Sequence, residues 1–193
     1  MSGSLFLYLG PMFSGKTTKL IQIFKTRTYI GKRVAVINYS QDKRYSDSML
    51  STHDQTMIPC IFIDQLSSIW RDKENEYYPI IKNADTILIN EGQFFPDIFD
   101  MVIEMVEEYG KEVHICGLDG DFQRKPFGSL LQLIPYCNTV EKLNALCVDC
   151  RDGTSAIFSH RISQETAQVV IGSDNYKPLC RGCYQIQTYC NPI

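Results

Sequence analysis

Apolar and polar residues fall in blocks along the first two thirds of the chain, and each block has the length of one secondary-structure element. LFLYL (residues 5–9) is a short continuous apolar run, the pattern of a strand buried on both faces. After GPMFSGKT, helical spacing runs from about Lys16 to Tyr29, and Gly31 ends it. RVAVI (33–37), TILIN (86–90) and EVHICGL (112–118) predict a second, third and fourth strand. Short apolar pieces fill 58–63, and a small helix is expected near 65–70. Between the third and fourth strands, Pro96 and Asp97 mark a helix start and Gly110 its end. Ile98, Val102, Met105 and Tyr109 share one face of that helix, with Asp100, Glu104, Glu107 and Glu108 largely opposite. Strands separated by helices make parallel βαβ units. Residues 1–142 therefore predict an α/β fold, an open parallel sheet flanked by helices.

The pattern changes after residue 142. Residues 143–193 hold two CxxC pairs with short β-like runs between them, AIFSH (156–160) and QVVIG (168–172). No flexible linker separates this second, smaller domain from the first, so the two are expected to pack together.

Composition narrows the picture. The 193 residues are 44% hydrophobic and 21% charged, as in an ordinary globular protein. A net charge of −3 argues against a broad nucleic-acid surface, which needs clustered Lys and Arg. No apolar run approaches the roughly 18–20 residues that span a bilayer. The N-terminal stretch lacks a basic export signature and reads as the first strand. A cytoplasmic location is expected, with the eight cysteines reduced and their spacing pointing to metal.

Two motifs carry recognisable chemistry. GPMFSGKT (10–17) fits G-x-x-x-x-G-K followed by Ser or Thr, and it lies between a predicted strand and a predicted helix. Gly10 and Gly15 allow the tight path that turns the N–H groups of Met12, Phe13, Ser14 and their neighbours, Pro11 excepted, toward a phosphate. Lys16 can reach the β- and γ-phosphates of ATP, and the Thr17 hydroxyl can ligate Mg²⁺. The second motif is the pair Cys147-Val-Asp-Cys150 and Cys180-Arg-Gly-Cys183, enclosing residues 151–179. Two such turns can present four thiolates to one tetrahedral Zn²⁺, which leaves the metal no open position and makes the site structural. Cys60 and Cys116 read as small buried hydrophobes, and His114 as a structural residue of its strand.

INEGQFFPD (89–97) raises a sharper question. Nucleotide-binding sheets often carry an Asp near such a strand end to hold Mg²⁺, and here Asn90 takes that place with Glu91 after it. An amide keeps an acceptor oxygen for a metal-bound water but has no charge. Glu91, just past the strand's C-terminal end, lies where open α/β sheets bind ligands.

The joint series is more specific than either motif. GPMFSGKT, DKRYS (42–46), STHD (51–54), NEGQFFPD (90–97), LDGDFQRKPFG (118–128), the two CxxC pairs and IGSDNY (171–176) follow in this order. The series resembles the zinc-containing, cellular and poxviral type of thymidine kinase over about residues 4–184. That resemblance implies a P-loop NTPase-like sheet, transfer of phosphate from ATP to the 5′-hydroxyl of thymidine, and a homotetramer. It implies feedback by thymidine triphosphate, and neither a nucleic-acid nor a membrane partner. It places residues 10–17, Asp42, Lys43, Arg44, Asn90, Gly92 and Gln93 around the triphosphate and its metal, and Glu91 as the catalytic acid. The four clustered cysteines become the zinc ligands. Met12, Leu118, Phe122, Phe127, Ser159, Gln168, Val169, Val170, Ile171, Gly172 and Tyr176 become nucleoside contacts, those after Cys150 lying on a "lasso" over the substrate. IGSDNY is one residue shorter than the commoner IGGxDxY-like stretch, and Gln168 stands where an apolar residue is frequent; both bear on how the lasso fits. A zinc-bearing P-loop ATPase and a non-catalytic nucleotide-binding relative remain alternative readings.

Overall fold

A computed structural model describes residues 2–41, 49–51, 56–170 and 172–190. The chain runs through β1 (Ser4–Leu9), α1 (Lys16–Tyr29), β2 (Val34–Tyr39), β3 (Met49–Ser51), β4 (Met57–Pro59), β5 (Ile61–Ile63), α2 (Ser67–Trp70), α3 (Tyr78–Asn83) and β6 (Thr86–Ile89). It continues through α4 (Ile98–Ile103), β7 (Glu112–Gly117), β8 (Thr139–Lys142), β9 (Ala145–Leu146), β10 (Ser155–Ala156), β11 (Phe158–Arg161), β12 (Tyr176–Leu179) and α5 (Arg181–Cys190).

Six strands form one sheet in the order β5-β2-β6-β7-β1-β8, and every neighbouring pair is parallel. Parallel sheets need cover on both faces, which explains the unbroken apolar runs. All four residues of β6 are buried. Side chains alternate between two cores, as a period of two requires. Ala35, Ile37, Ile87, Ile89 and Ile115 face one cluster with α2, α3 and α4; Val36, Leu88 and Cys116 face the other with Leu20, Ile21 and Ile23 of α1.

The helix after β6 departs from its simple pattern. Beyond α4 it continues as a π-helical turn, Glu104–Glu108. That turn shifts the helical phase. Ile98, Val102 and Met105 are buried as expected, whereas Tyr109 swings out to half exposure and packs edge-on against Trp70 at 5.0 Å. The β-like run expected at 168–172 is also absent: residues 168–170 have no regular structure, and the lasso hairpin pairs β11 with β12 instead. The edge strand β8 carries too much exposed polar sequence to show a strand pattern. Cys116 is buried as expected, and burial pushes its thiol far above the usual range; Cys60 is only half-buried. No helix among the described residues is long and apolar enough to cross a membrane.

His114 of β7 is structural, as its sequence position suggested. It accepts from the Tyr8 hydroxyl at Nδ1 (3.1 Å) and donates from Nε2 to Glu112 (2.5 Å), while Arg27 donates to the same carboxylate (2.6 Å). Burial first, then the charge near Cys116 and Glu141, pushes the Tyr8 phenol up to about 12, so it stays a donor. Burial also pulls the His114 pKa below its ordinary 6.5, against the opposing pull of Glu112. The folded protein then resists a proton that the unfolded chain accepts below about pH 6.5, so stability falls as pH drops through that value. His160, lowered by burial and then by Lys177, acts in the same direction. For Glu112 burial works upward, but the bonds from His114 and Arg27 outweigh it and leave the group depressed; its contribution is lost only lower, through the carboxylate range. Melting temperatures measured between about pH 7 and pH 5 should therefore decline, and His114→Gln should flatten the decline. An equal slope in the variant would show that His114 is not the group responsible.

Candidate active site

The site lies at the C-terminal edge of the sheet, where β1, β2, β6 and β7 end. β1 leads into Gly10, whose N–H donates to the Gly117 carbonyl at 3.3 Å. A β-carbon on Gly10 would collide with the Leu143 carbonyl, so only glycine leaves the strand by this route. Gly15 sits at φ 81° and opens α1, turning the first N–H groups of the helix toward the loop. Phe13 also has positive φ, 64°, a conformation a non-glycine residue holds only under constraint from its surroundings. The Lys16 ammonium is folded into the loop, donating to the Pro11 carbonyl at 2.7 Å.

These elements open on a cavity of about 400 Å³. Met12, Phe13, Ser14, Gly15, Lys16 and Thr17 line it from the phosphate loop, and Asn90, Glu91 and Gln93 from the end of β6. Leu118, Phe122 and Phe127 line it from the loop after β7, and Ser159, Gln168, Val169, Val170, Gly172 and Tyr176 from the lasso. Segments 150 residues apart in sequence therefore share one space. Gly10 and Pro11 lie behind the wall, and Gly92 packs under it against Ile115, Ile98 and Leu130. Asp42, Lys43, Arg44 and Ile171 lie outside the described residues.

Glu91 stands at φ 54°, in the left-handed region, at the start of a single 3₁₀ turn, Gly92–Phe94. Its carboxylate accepts a hydrogen bond from Gln93 Nε2 at 2.6 Å, and Gln93 Oε1 in turn accepts from the Leu118 N–H at 3.0 Å. Gln93 is 97% buried; β-carbons at Gly117 and Gly128 would strike Gln93 or its neighbour Leu130. Gln93 was grouped with the triphosphate in the sequence. Its amide is used at both ends to fix the Glu91 carboxylate relative to the loop after β7.

Asn90 is also buried and lines the cavity, and its Nδ2 donates to Asn38 Oδ1 of β2 at 2.9 Å. The pair bridges two strand ends without charge, and the Asn90 carbonyl oxygen remains as an acceptor.

Sequence reasoning passed over several lining residues. Asn38, Tyr39 and Phe94 contribute, with the Tyr39 ring stacked on Phe94 at 5.0 Å and Phe94 edge-on to Phe127 at 5.3 Å. Asp121 accepts from the N–H groups of Gln123 and Lys125 and, through Oδ2, from Gln168 Nε2 at 2.9 Å. The Asp-x-x-x-Lys stretch in a polar loop was the available signal for that turn. Gln168 thus has a polar partner, which accounts for a polar side chain at that lasso position. Ser159 Oγ accepts from the Met12 N–H at 2.9 Å, tying the lasso's first strand to the phosphate loop.

At the base of the lasso, the Sγ atoms of Cys147, Cys150, Cys180 and Cys183 all lie within 4.8 Å of one another. Cys150 is 3.7 Å from Cys180 and 3.5 Å from Cys183, sulfur to sulfur. A tetrahedral ion with Zn–S bonds of about 2.3 Å needs sulfurs about 3.8 Å apart, so the set fits Zn²⁺. Around it Ala145, Cys147, Ala156, Leu179 and Tyr184 form a small separate core. A core of that size is insufficient alone, and zinc binding to such sites contributes on the order of 10 kcal/mol. Purified protein should carry about one zinc per chain, and its removal, or Cys180→Ser, should lower the melting temperature by several degrees or more. An unchanged melt after complete zinc loss would show that the cluster holds without metal.

Comparison with known proteins agrees with this geometry. The profile described as "Thymidine kinase" matches residues 3–184. A thymidine kinase of Yaba monkey tumor virus is 42% identical over 184 residues, covering 95% of each chain. Thymidine kinase 1 of Dictyostelium discoideum is 38% identical, covering 95% of this chain and 78% of that one. That of myxoma virus (strain Uriarra) is 39% identical, covering 94% of this chain and 96% of its own. With the phosphate loop, the β6 carboxylate and the cysteine-clamped lasso gathered around one cavity, and with likeness running through nearly the whole sequence, the chain belongs to the thymidine kinase family.

Proposed function

We infer that this protein is an ATP:thymidine 5′-phosphotransferase, accepting thymidine and, by the same pocket, deoxyuridine, and yielding the monophosphate for deoxynucleotide salvage. The observation that carries this reading is that Lys16, Glu91 and the aromatic and lasso walls line a single cavity. The phosphate loop N–H groups and Lys16 hold the triphosphate, Lys16 leaving the Pro11 carbonyl for phosphate oxygens. Leu118, Phe122, Phe127 and Met12 enclose the base, and main-chain groups of 168–172 read its edge. The 5′-oxygen forms a bond to the γ-phosphorus as the bond to the β,γ-bridging oxygen breaks, and ADP leaves. Glu91, oriented by Gln93, accepts the hydroxyl proton. Thr17 would hold Mg²⁺, which would supply neutralising charge to the triphosphate. The chain divides into a kinase domain, 1–142, and a zinc and lasso domain, 143–193, a division supported by the separate small core. Assembly as a homotetramer, a cytoplasmic location and inhibition by thymidine triphosphate in the nucleoside pocket complete the reading.

A phosphotransfer assay with thymidine, deoxyuridine, deoxycytidine and purine deoxynucleosides tests it directly. Thymidine should be the preferred acceptor, and Glu91→Gln should lower kcat by about 10²–10⁴-fold with ATP binding intact. Activity confined to purines would overturn the substrate, and near-normal turnover in the variant would remove Glu91 from proton transfer.

The Asn38–Asn90 bridge yields a separate expectation. Asn90→Asp should lower the Mg²⁺ concentration for half-activity, because a carboxylate adds charge beside the ion. It should also destabilise the fold by about 1–3 kcal/mol, because that charge is buried against an amide. An unchanged Mg²⁺ titration would place Asn90 away from the metal.

A further inference from the structure

The lasso crosses the cavity mouth with almost no apolar anchorage of its own, since residues 164–169 are all exposed. A single guanidinium gathers it. Arg161, the last residue of β11, is fully buried. Its NH1 donates to the Glu165 carbonyl at 2.9 Å and to that of Ala167. Its NH2 donates to the Gln168 carbonyl at 3.0 Å and to the Tyr176 hydroxyl at 2.6 Å, which passes the bond on to the Val170 carbonyl at 3.1 Å. The other face of the group matters as much. Arg161 Cζ stands 3.7 Å from the centre of the Phe122 ring, so the cation is stacked on the aromatic wall of the cavity. Phe122, Gln168, Val170 and Tyr176 line the cavity, and Arg161 lies one layer behind them. Among the described residues no carboxylate forms an ion pair with it, and its Nε makes no hydrogen bond. The buried charge is met by main-chain oxygens, the Tyr176 hydroxyl and the rings of Phe122 and Tyr176.

We propose that Arg161 is the positioning residue of the nucleoside subsite, joining the lasso main chain to Phe122 so that base edge and base face are presented together. The reasoning is geometric. A planar fork can serve several carbonyls while lying flat on a ring, which the point charge of lysine cannot do. The phosphate loop has a separate scaffold in β1 and α1 and is tied to the lasso by the hydrogen bond from the Met12 N–H to Ser159 Oγ, which does not involve Arg161. Loosening Arg161 therefore weakens nucleoside binding and leaves ATP binding intact. This inference rests on the kinase reading above for its kinetic test, and on geometry alone for its structural test.

Arg161→Lys and Arg161→Met separate positioning from general stability. Met fills much of the same space without a buried charge, so the fold is retained even where the fork is lost. Both variants should raise the thymidine KM by about 10-fold or more with the ATP KM within about two-fold. Loss of positioning also predicts faster cleavage at Glu165 by a glutamate-specific protease in both variants, at unchanged melting temperature. Thymidine KM within two-fold of wild type, or thymidine KM, ATP KM and melting temperature moving together, would overturn the proposal. If wild-type protein phosphorylates no nucleoside, the kinase reading fails on its own and the protease rates still decide whether Arg161 holds the lasso.

Discussion

The register of the parallel strands is the constraint on which everything else in this molecule rests. Leu9 lies opposite Gly117, Ile89 opposite Ile115, and Ile37 opposite Ile89. That alignment delivers the phosphate loop, the Asn90-Glu91 corner and Leu118 to one edge at nearly one level. A slip of one residue would turn Ile87 and Ile89 from one core to the other, so the two apolar clusters fix the alignment of the catalytic edge. Glycine then sets the fine spacing. Gly117 and Gly128 leave the room in which Gln93 lies, and Gln93 carries the position of the sheet edge into the Glu91 carboxylate. The Glu91 carboxylate thus depends on the packing around Gln93.

Asn38 and Asn90 show the same edge from its electrostatic side. Two neutral amides bridge β2 and β6 where ion-binding sheets commonly place a carboxylate. A buried amide pair joined by a hydrogen bond carries no desolvation penalty for charge. The consequence is that this edge is held by a neutral bridge, with Glu91 the carboxylate beside it.

Much of this was legible in the sequence, for reasons that differ by element. The central strands and α1 were readable because burial on both sides leaves continuous apolar runs, and the phosphate loop and zinc clamps because their chemistry demands fixed spacing. β8 was not, since an edge strand can be polar and still pair. The π turn at 104–108 changed the exposure of Tyr109 without any Gly or Pro to announce it. QVVIG reads as a strand by composition, yet Gln168 and Val170 bond through their carbonyls to Arg161 and Tyr176 in place of a ladder. Main-chain acceptors have no side-chain signature. For the same reason Arg161, in the unremarkable run SHRIS, gave no sign that it is the most enclosed charge among the described residues.

The lasso needs two kinds of hold because it faces two different entropy problems. The cysteine cluster, which fits zinc, brings Cys150 and Cys180 together across residues 151–179; it fixes the ends of the segment and leaves its middle to be ordered separately. A covering segment without an apolar core must then be ordered from within. A salt bridge to one side chain would fix one point. Carbonyls at 165, 167 and 168 on one guanidinium, with 170 reached through Tyr176, fix a whole arc of backbone at a single buried residue. Because that guanidinium also lies on Phe122, the arc is referenced to the cavity wall and not to the cysteine cluster. The proposed reading of a base edge by main-chain groups is consistent with this arrangement, since such a backbone must be as rigid as the surface on which the base stacks.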